Sequence, residues 1–307
     1  MRLLLFGGTG QVGTEVRNLA LPRGIEVVAP TRSAVDLNDP RAIASAIAAE
    51  PWHAVVNAAG YTHVDKAEAE ETLAFAINAK AAECIAAEAG HRRIPVIHIS
   101  TDYVYDGTKG APYREDDGTA PLNAYGRSKL AGEQAVFAVN PRHIIVRTAW
   151  VYSPYGNNFA RTILRLAQER ERLTIVADQR GCPTAAIDIA NACLSLASHC
   201  ASEPERVPYG VYHFAGAGEA SWYELAVAIV ELAAKRLDRS SQTLSPQVLL
   251  AKVLPIRTSD YPTAAVRPAD TRLDCSAIAR AFGVTLRPWH CALAETIERL
   301  LTVKDAP

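Results

Sequence analysis

The chain lacks a long apolar run: no stretch approaches the roughly 18 residues of a membrane-spanning helix. It also lacks an excess of either charge. The 32 Lys and Arg against 33 Asp and Glu leave a net charge of -1, which gives no electrostatic basis for a nucleic-acid or membrane partner. Its six cysteines, at 84, 182, 193, 200, 275 and 291, form no Cys-x-x-Cys and no zinc spacing. Cys193 and Cys200 on one helix would stand ~10 Å apart, beyond disulfide reach, so all six are expected to be reduced and mostly buried. The start, Met1 to Phe6, is too short for a signal h-region and runs into glycines, so a cytoplasmic protein is expected. Internal repeats and low-complexity segments are missing too. What remains is an ordinary globular composition, 49% hydrophobic and 21% charged over 307 residues, enough for one large domain or two unequal ones.

Strand-like and helix-like segments alternate in the first half. Leu3 to Phe6, Ile25 to Ala29, Trp52 to Asn57, Val96 to Ser100 and Ile144 to Arg147 read as strands. Gln11 to Leu21, Pro40 to Ala49, Leu73 to Ala89 and Asn123 to Val139 read as the helices between them, with Pro40 at a first turn behind Asn38 or Asp39. This order predicts an α/β fold, a doubly wound parallel sheet over residues 1–150. Residues 151–307 are expected to form a smaller substrate-binding region, with about 173–200 returning to the first domain. Within it, 237–273 is rich in Ser, Thr and Pro and reads as loop-rich, and Trp289 to Leu301 reads as the last helix.

Gly7-Gly8-Thr9-Gly10-Gln11-Val12-Gly13 lies between the first strand and the first helix. Such a loop permits a sharp turn, close approach to a pyrophosphate, and an anion at the helix N-terminus. The second strand ends in Ala29-Pro30-Thr31-Arg32-Ser33 without the acid that would hold an NAD ribose. Arg32 suits the 2′-phosphate of NADPH, with NADH as the alternative, and Asp36-Leu37 stand where an adenine could be flanked. Asn57-Ala58-Ala59-Gly60 closes the third strand with small residues, which would let the chain pass close to the cofactor's ribose.

Tyr125 and Lys129 stand four apart at the start of a helix-like run, a spacing that puts both on one face. An ammonium beside a phenol is expected to lower the phenol's pKa. Ser100-Thr101-Asp102-Tyr103 closes the fourth strand, which puts Thr101 on the ligand-bearing edge of the sheet. With Thr101, Tyr125 and Lys129 converging there, the chain resembles the extended short-chain dehydrogenase/reductase superfamily. Val64-Asp65-Lys66-Ala67-Glu68, Tyr125 to Glu133, Arg147 to Tyr152, Gly156-Asn157-Asn158-Phe159, Asp178 to Thr184 and Arg267-Pro268 follow in order. Together with the glycine loop they are similar to the dTDP-4-dehydrorhamnose reductases, over the whole length.

That resemblance implies NADPH-dependent reduction of the C4 keto group of a dTDP-6-deoxy-L-hexulose, the last step of dTDP-L-rhamnose synthesis. It implies Tyr125 as proton donor, Lys129 on the nicotinamide ribose and Thr101 on the keto oxygen. Gly10, Gln11 and Val12 would line the pyrophosphate, and Ala59, Gly60, Tyr61 and Thr62 the ribose and nicotinamide half. Asp102, Tyr103 and Trp150 would face the sugar, and Asn158 and Arg267 the dTDP moiety. Some enzymes of the family are described as dimers that hold magnesium on surface glutamates. Glu15 is the candidate here, with Asp188 standing where a partner glutamate would be sought.

Other residues carry blander readings. His63 and His98 read as packing histidines, and Asp65, Glu68, Glu70 and Glu71 as a solvated helix start. The competing functions are a 4-keto reductase for another nucleotide sugar, one giving the C4-epimeric dTDP-6-deoxy-L-talose, and a catalytically silent NADP-binding regulatory subunit.

Overall fold

The computed structural model describes residues 1–239 and 252–302. Five strands of the first half, β1 (Arg2–Phe6), β2 (Glu26–Val28), β3 (Ala54–Asn57), β4 (Val96–Thr101) and β5 (His143–Thr148), join Gly210–His213 in one sheet. The order is Gly210–His213, β5, β4, β3, β1, β2, and every pairing is parallel. The chain passes outward from β1 to β2, then crosses to β3 on the other side. The reversal leaves a crevice beyond the carboxyl ends of β1 and β3, where ligands of open α/β sheets bind.

The apolar strands are explained by cover on both faces. Leu3 and Leu5 point into one core with Val16, Val56, Ile97, Ile144 and Ile189. Leu4 and Phe6 point into the other with Ile43, Ile47, Val55 and Ile85. A third core joins Ile163, Leu225, Ile229, Trp289, Leu293 and Ile297. Of the stretch 173–200, the helix Ala186–Ser202 feeds the first of these cores through Ile189, Cys193 and Leu196. The strand Arg172–Val176 instead pairs with Lys252–Ile256 in a separate two-stranded sheet. Lys252–Ile256 is thus a strand within the stretch 237–273 read as loop-rich, of which 240–251 falls outside the described residues. All six cysteines are free, four of them buried.

Two helices have instructive starts. Asp39 accepts the Arg41 amide at the head of Pro40–Ala48, and Asn123 accepts the Gly126 amide at the head of Ala124–Val139. Both are capping bonds. The single long helix expected over 73–89 is instead interrupted: Glu71–Phe75 and Ala81–His91 flank a wide π-turn, Ala76–Lys80. Wide turns of this kind recur at functional sites. Here the turn delivers Asn78, whose amide side chain accepts from the Tyr61 amide at 2.8 Å and donates to Ser128 Oγ at 2.9 Å. Asn78 thereby fastens the loop after β3 to the helix that carries Tyr125. A polar residue within an Ala-rich run gives no sequence signal for this role.

Candidate active site

The glycine loop takes the shape its sequence suggests. Gly7 has φ +84, and a Cβ there would meet the Ala58 and Ala59 backbone within 2.7 Å. A Cβ on Gly13 would meet the Gly7 carbonyl at 2.1 Å. Larger residues would therefore push the first helix, Gln11–Ala20, away from the turn. Gly10 caps that helix without any side-chain bond to it, so its first N–H groups stay available to an anion. These features fit a dinucleotide pyrophosphate.

Gly10, Gln11, Val12, Ala59, Gly60 and Thr62 line a cleft of about 560 Å³ that also holds Thr101, Asp102, Tyr103, Tyr125, Lys129, Trp150 and Asn158. Most of the residues singled out from sequence thus converge on one space. Arg32 lies outside it, exposed beyond β2, and makes no ion pair with an acid among the described residues. Asp36 accepts two bonds from Asn38 as a turn former, and Leu37 packs on the core beneath. Tyr61 departs from expectation. Its hydroxyl donates to Glu70 at 2.6 Å, and its side chain is not part of the cleft wall.

Tyr125 and Lys129 share a face of Ala124–Val139, as their spacing requires, but their electrostatics are not those of a simple pair. The Tyr125 hydroxyl lies deep in the cleft, and burial pushes its pKa up to about 12; the neighbouring Thr101 hydroxyl opposes this and Asp102 adds to it. The expected lowering by Lys129 is therefore not found. Loss of water around the phenol dominates, and the ammonium is turned to donate to the Ile99 carbonyl at 2.6 Å. Burial in turn lowers the Lys129 pKa to about 8, with Glu133 opposing. His98 on β4 is buried against Asn57 at 3.1 Å, and burial followed by the Lys129 charge holds it well below the usual histidine range.

Asp102 accepts the Thr101 hydroxyl at 3.0 Å and the Thr271 hydroxyl at 2.5 Å. Burial still pushes its pKa up to about 7, the two hydroxyl bonds notwithstanding. Tyr103 packs edge-on to Tyr125, ring centroids 5.8 Å apart. Thr148, paired with Thr101 in the β4–β5 register, also lines the cleft, and its buried hydroxyl has no hydrogen-bond partner among the described residues. Buried hydroxyls without partners are uncommon, which makes Thr148 a candidate ligand contact without a sequence signal.

Trp150 is held at φ +46, a backbone region that costs about 1–3 kcal/mol for a non-glycine residue. Its ring lies on Trp222, centroids 3.6 Å apart and planes 6° from parallel. Gly181 leaves room for it, since a Cβ there would come within 2.4 Å of the indole. One face of Trp150 is therefore already taken, and the apolar wall of the cleft is the Trp150–Trp222 stack with Phe159. Gln179 supports this wall by accepting the Trp222 indole N–H at 3.2 Å. Asn158 is committed as well. It caps Phe159–Glu169 and donates to the Ser153 carbonyl at 2.9 Å.

A second cleft of about 470 Å³ shares Tyr103, Phe159 and Trp222 with the first and adds Arg170, Arg172, Tyr261 and Arg267. Arg267 pairs with Asp65 at 2.6 Å, which holds the Asp65 carboxyl below its usual range. The acidic run is thus no merely solvated helix start. Asp65 meets Arg267, Glu68 accepts the Ala124 amide, Glu70 takes the Tyr61 hydroxyl and Glu71 pairs with Arg127. The Glu68 and Glu71 bonds tie the segment after β3 to the tyrosine helix, and the Asp65 bond ties it to the loop that carries Arg267.

The magnesium expectation does not fit. Glu15 is only 1% exposed and is met by Arg299 at 2.8 Å. Asp188 and Glu295 are both bridged by Arg287. No group of three or more metal-ligating side chains occurs among the described residues. No helix among them is long and apolar enough to cross a membrane.

Residues 1–302 match the family model described as the RmlD substrate binding domain. The chain is 41% identical to the dTDP-4-dehydrorhamnose reductase of Sinorhizobium fredii, with 100% of both chains covered. It is 39% identical to that of Escherichia coli K12, over 98% of this chain and 99% of the relative. Among solved structures it is similar to the dTDP-4-dehydrorhamnose reductase of Clostridium acetobutylicum, with TM-score 0.89 and 33% identity over 98% of this chain and 100% of the other. It is likewise similar to that of Bacillus anthracis in complex with NADP, with TM-score 0.87 and 31% identity over 97% and 99% of the two chains. With a family model spanning nearly all of the chain and full-length relatives at such identity, the chain belongs to the dTDP-4-dehydrorhamnose reductase family.

Proposed function

We propose that the chain reduces the C4 keto group of dTDP-6-deoxy-L-lyxo-4-hexulose to give dTDP-L-rhamnose, with NADPH as its cofactor. The observation that carries this reading is the convergence of Thr101, Tyr125 and Lys129 in the same cleft as an uncapped helix N-terminus behind a glycine turn. When bound, NADPH supplies the hydride. Gly10, Gln11 and Val12 hold the pyrophosphate, Arg32 meets the 2′-phosphate, and Lys129 takes the nicotinamide ribose. Thr101 hydrogen-bonds the keto oxygen. Tyr125, whose buried phenol keeps its proton, donates it to the forming alkoxide, an effect worth about 10²–10⁴ in rate. The Trp150–Trp222 wall receives the apolar side of the 6-deoxy sugar, with Asp102 and Tyr103 beside it. The second cleft, with Arg267 and the neighbouring end of Asn158–Phe159, takes the dTDP moiety.

The reading treats residues 1–150, with the returning helix and Gly210–His213, as the cofactor unit, and the remainder as the substrate unit. It places the chain in the cytoplasm, where a homodimer is the form to test first. Supplying dTDP-4-keto-6-deoxy-L-sugar and NADPH, following absorbance and identifying the product by NMR tests the reading. A rhamnose product is expected. A talose product selects the C4 epimer, and cofactor binding without oxidation selects the silent regulatory subunit.

A further inference from the structure

Three consecutive residues at the end of β4 face three residues spaced four apart on the tyrosine helix. Thr101 lines the cleft beside Tyr125, Ile99 accepts Lys129 Nζ at 2.6 Å, and the Ser100 hydroxyl donates to the Glu133 carboxylate. The first two contacts belong to groups already given parts in the reaction. The third ends on a side chain that forms no part of the cleft wall and is 3% exposed.

Glu133 is anchored from the far side by β5. Arg147 donates to its two oxygens, Nε at 3.0 and 3.1 Å and Nη2 at 2.6 Å. Arg147 Nη1 continues to the Tyr105 hydroxyl at 2.7 Å, which meets His213 Nε2 at 2.9 Å. A buried ion pair of this kind is a poor device for stability alone, because an apolar pair of equal volume often does as well. Its geometry does something an apolar pair cannot. It fixes the Glu133 carboxylate so that it accepts from Ser100 of β4 one turn beyond Lys129, and it places an anion next to the ammonium.

The charged and titratable groups around Lys129 are few. Tyr125 and Glu133 share its helix, His98 faces it from β4, Arg147 stands behind Glu133 on β5, and Asp102 lies beyond Thr101. His98 is held neutral, so Glu133 is the one of these that favours the charged lysine.

We propose that Glu133 is a positioning residue of the reductase site, locking the register of the tyrosine helix on β4 and keeping the Lys129 ammonium charged. The proposal rests on the reductase reading. Wild-type turnover of the dTDP-4-keto sugar is therefore measured first, and its failure would count against that reading alone. Glu133→Gln preserves size and removes the charge. We expect kcat to fall roughly tenfold or more, since small misplacements of catalytic groups are costly. The alkaline limb of the kcat profile should move down by roughly one pH unit, because losing an adjacent anion lowers an ammonium pKa. A folded Glu133→Gln enzyme with the wild-type kcat and pH profile overturns the proposal, as does a lower Tm with an unmoved profile. If that variant does not fold, Ser100→Ala cuts the third tie and leaves the ion pair in place. A several-fold lower kcat at wild-type Tm then supports the proposal, and an unchanged kcat overturns it.

Discussion

Arg299, in the last helix, closes on the buried Glu15 carboxylate of the first helix at 2.8 Å, across 284 residues of chain. The same guanidinium reaches the Tyr155 hydroxyl at 3.3 Å. A surface carboxylate held open for a cation would be exposed and short of positive neighbours; Glu15 is neither. Prolonged dialysis against EDTA is expected to leave kcat and Tm unchanged. A loss after chelation that magnesium restores would sink this reading. Arg299→Ala leaves a buried carboxylate without its partner and should lower stability by about 3 kcal/mol, the low end of the range for broken buried pairs because Arg299 is partly exposed. Urea unfolding measures it.

Tyr125→Phe removes one oxygen and leaves Lys129 on the Ile99 carbonyl. NADPH affinity, read by fluorescence titration, should be kept, while kcat falls about 10²–10⁴-fold. An unchanged kcat would remove Tyr125 as the proton donor.

Arg32 stands exposed where β2 ends. Arg32→Ala should raise the KM for NADPH about tenfold, the size of one lost hydrogen bond to a charged group, and leave the KM for NADH where it was. Equal changes for both cofactors would assign Arg32 to the surface.

Asp102 gives a pH-dependent signature. Its folded pKa, pushed up to about 7 by burial, lies above the ordinary aspartate value of 3.8. Between those two values the unfolded chain loses this proton and the folded chain keeps it, so folding loses stability as pH rises from about 4 to about 7 and no more beyond that. Asp102→Asn carries no such penalty. The Tm difference between variant and wild type should therefore shift in the variant's favour over this window and then level off. A difference that stays flat from pH 4 to pH 8 contradicts a raised Asp102.

Much of this was legible in the residues, and for physical reasons. Strands buried on both faces read as near-continuous apolar runs, so Leu3 to Phe6 announced itself, and so did Val96 to Ser100 despite His98 and Ser100 within it. Gly7 and Gly13 are demanded by backbone contacts that no larger residue survives, and Tyr125 and Lys129 share a face because four residues make about one turn. Long-range partners were not legible. Nothing near Asp65 in the chain points to Arg267, 202 residues on, and nothing near Glu15 points to Arg299. Tyr61 and Asn158 stood at positions that suggested ligands, yet their polar atoms are used by Glu70 and by a helix cap. Titration was hidden as well, because burial of the Tyr125 phenol depends on walls contributed by distant segments.

Trp222 is the clearest residue of that hidden kind. It comes from the helix Trp222–Arg239, lies flat on Trp150, touches Phe159 at 4.7 Å between ring centroids, and borders both clefts. Aromatic pairs of this geometry contribute about 0.5–1.5 kcal/mol beyond the area they bury, and this one covers one face of a Trp150 whose backbone is left-handed. Trp222→Ala should free Trp150, open the wall between sugar and nucleotide, and raise the KM for the dTDP-sugar about tenfold, the result of losing roughly 1.4 kcal/mol of contact. NADPH should bind as before, since its pyrophosphate is held by the glycine turn and its 2′-phosphate by Arg32, which lies outside this cleft. If steady-state kinetics instead show NADPH binding impaired and the sugar unaffected, the Trp150–Trp222 stack belongs to the cofactor's side of the cleft.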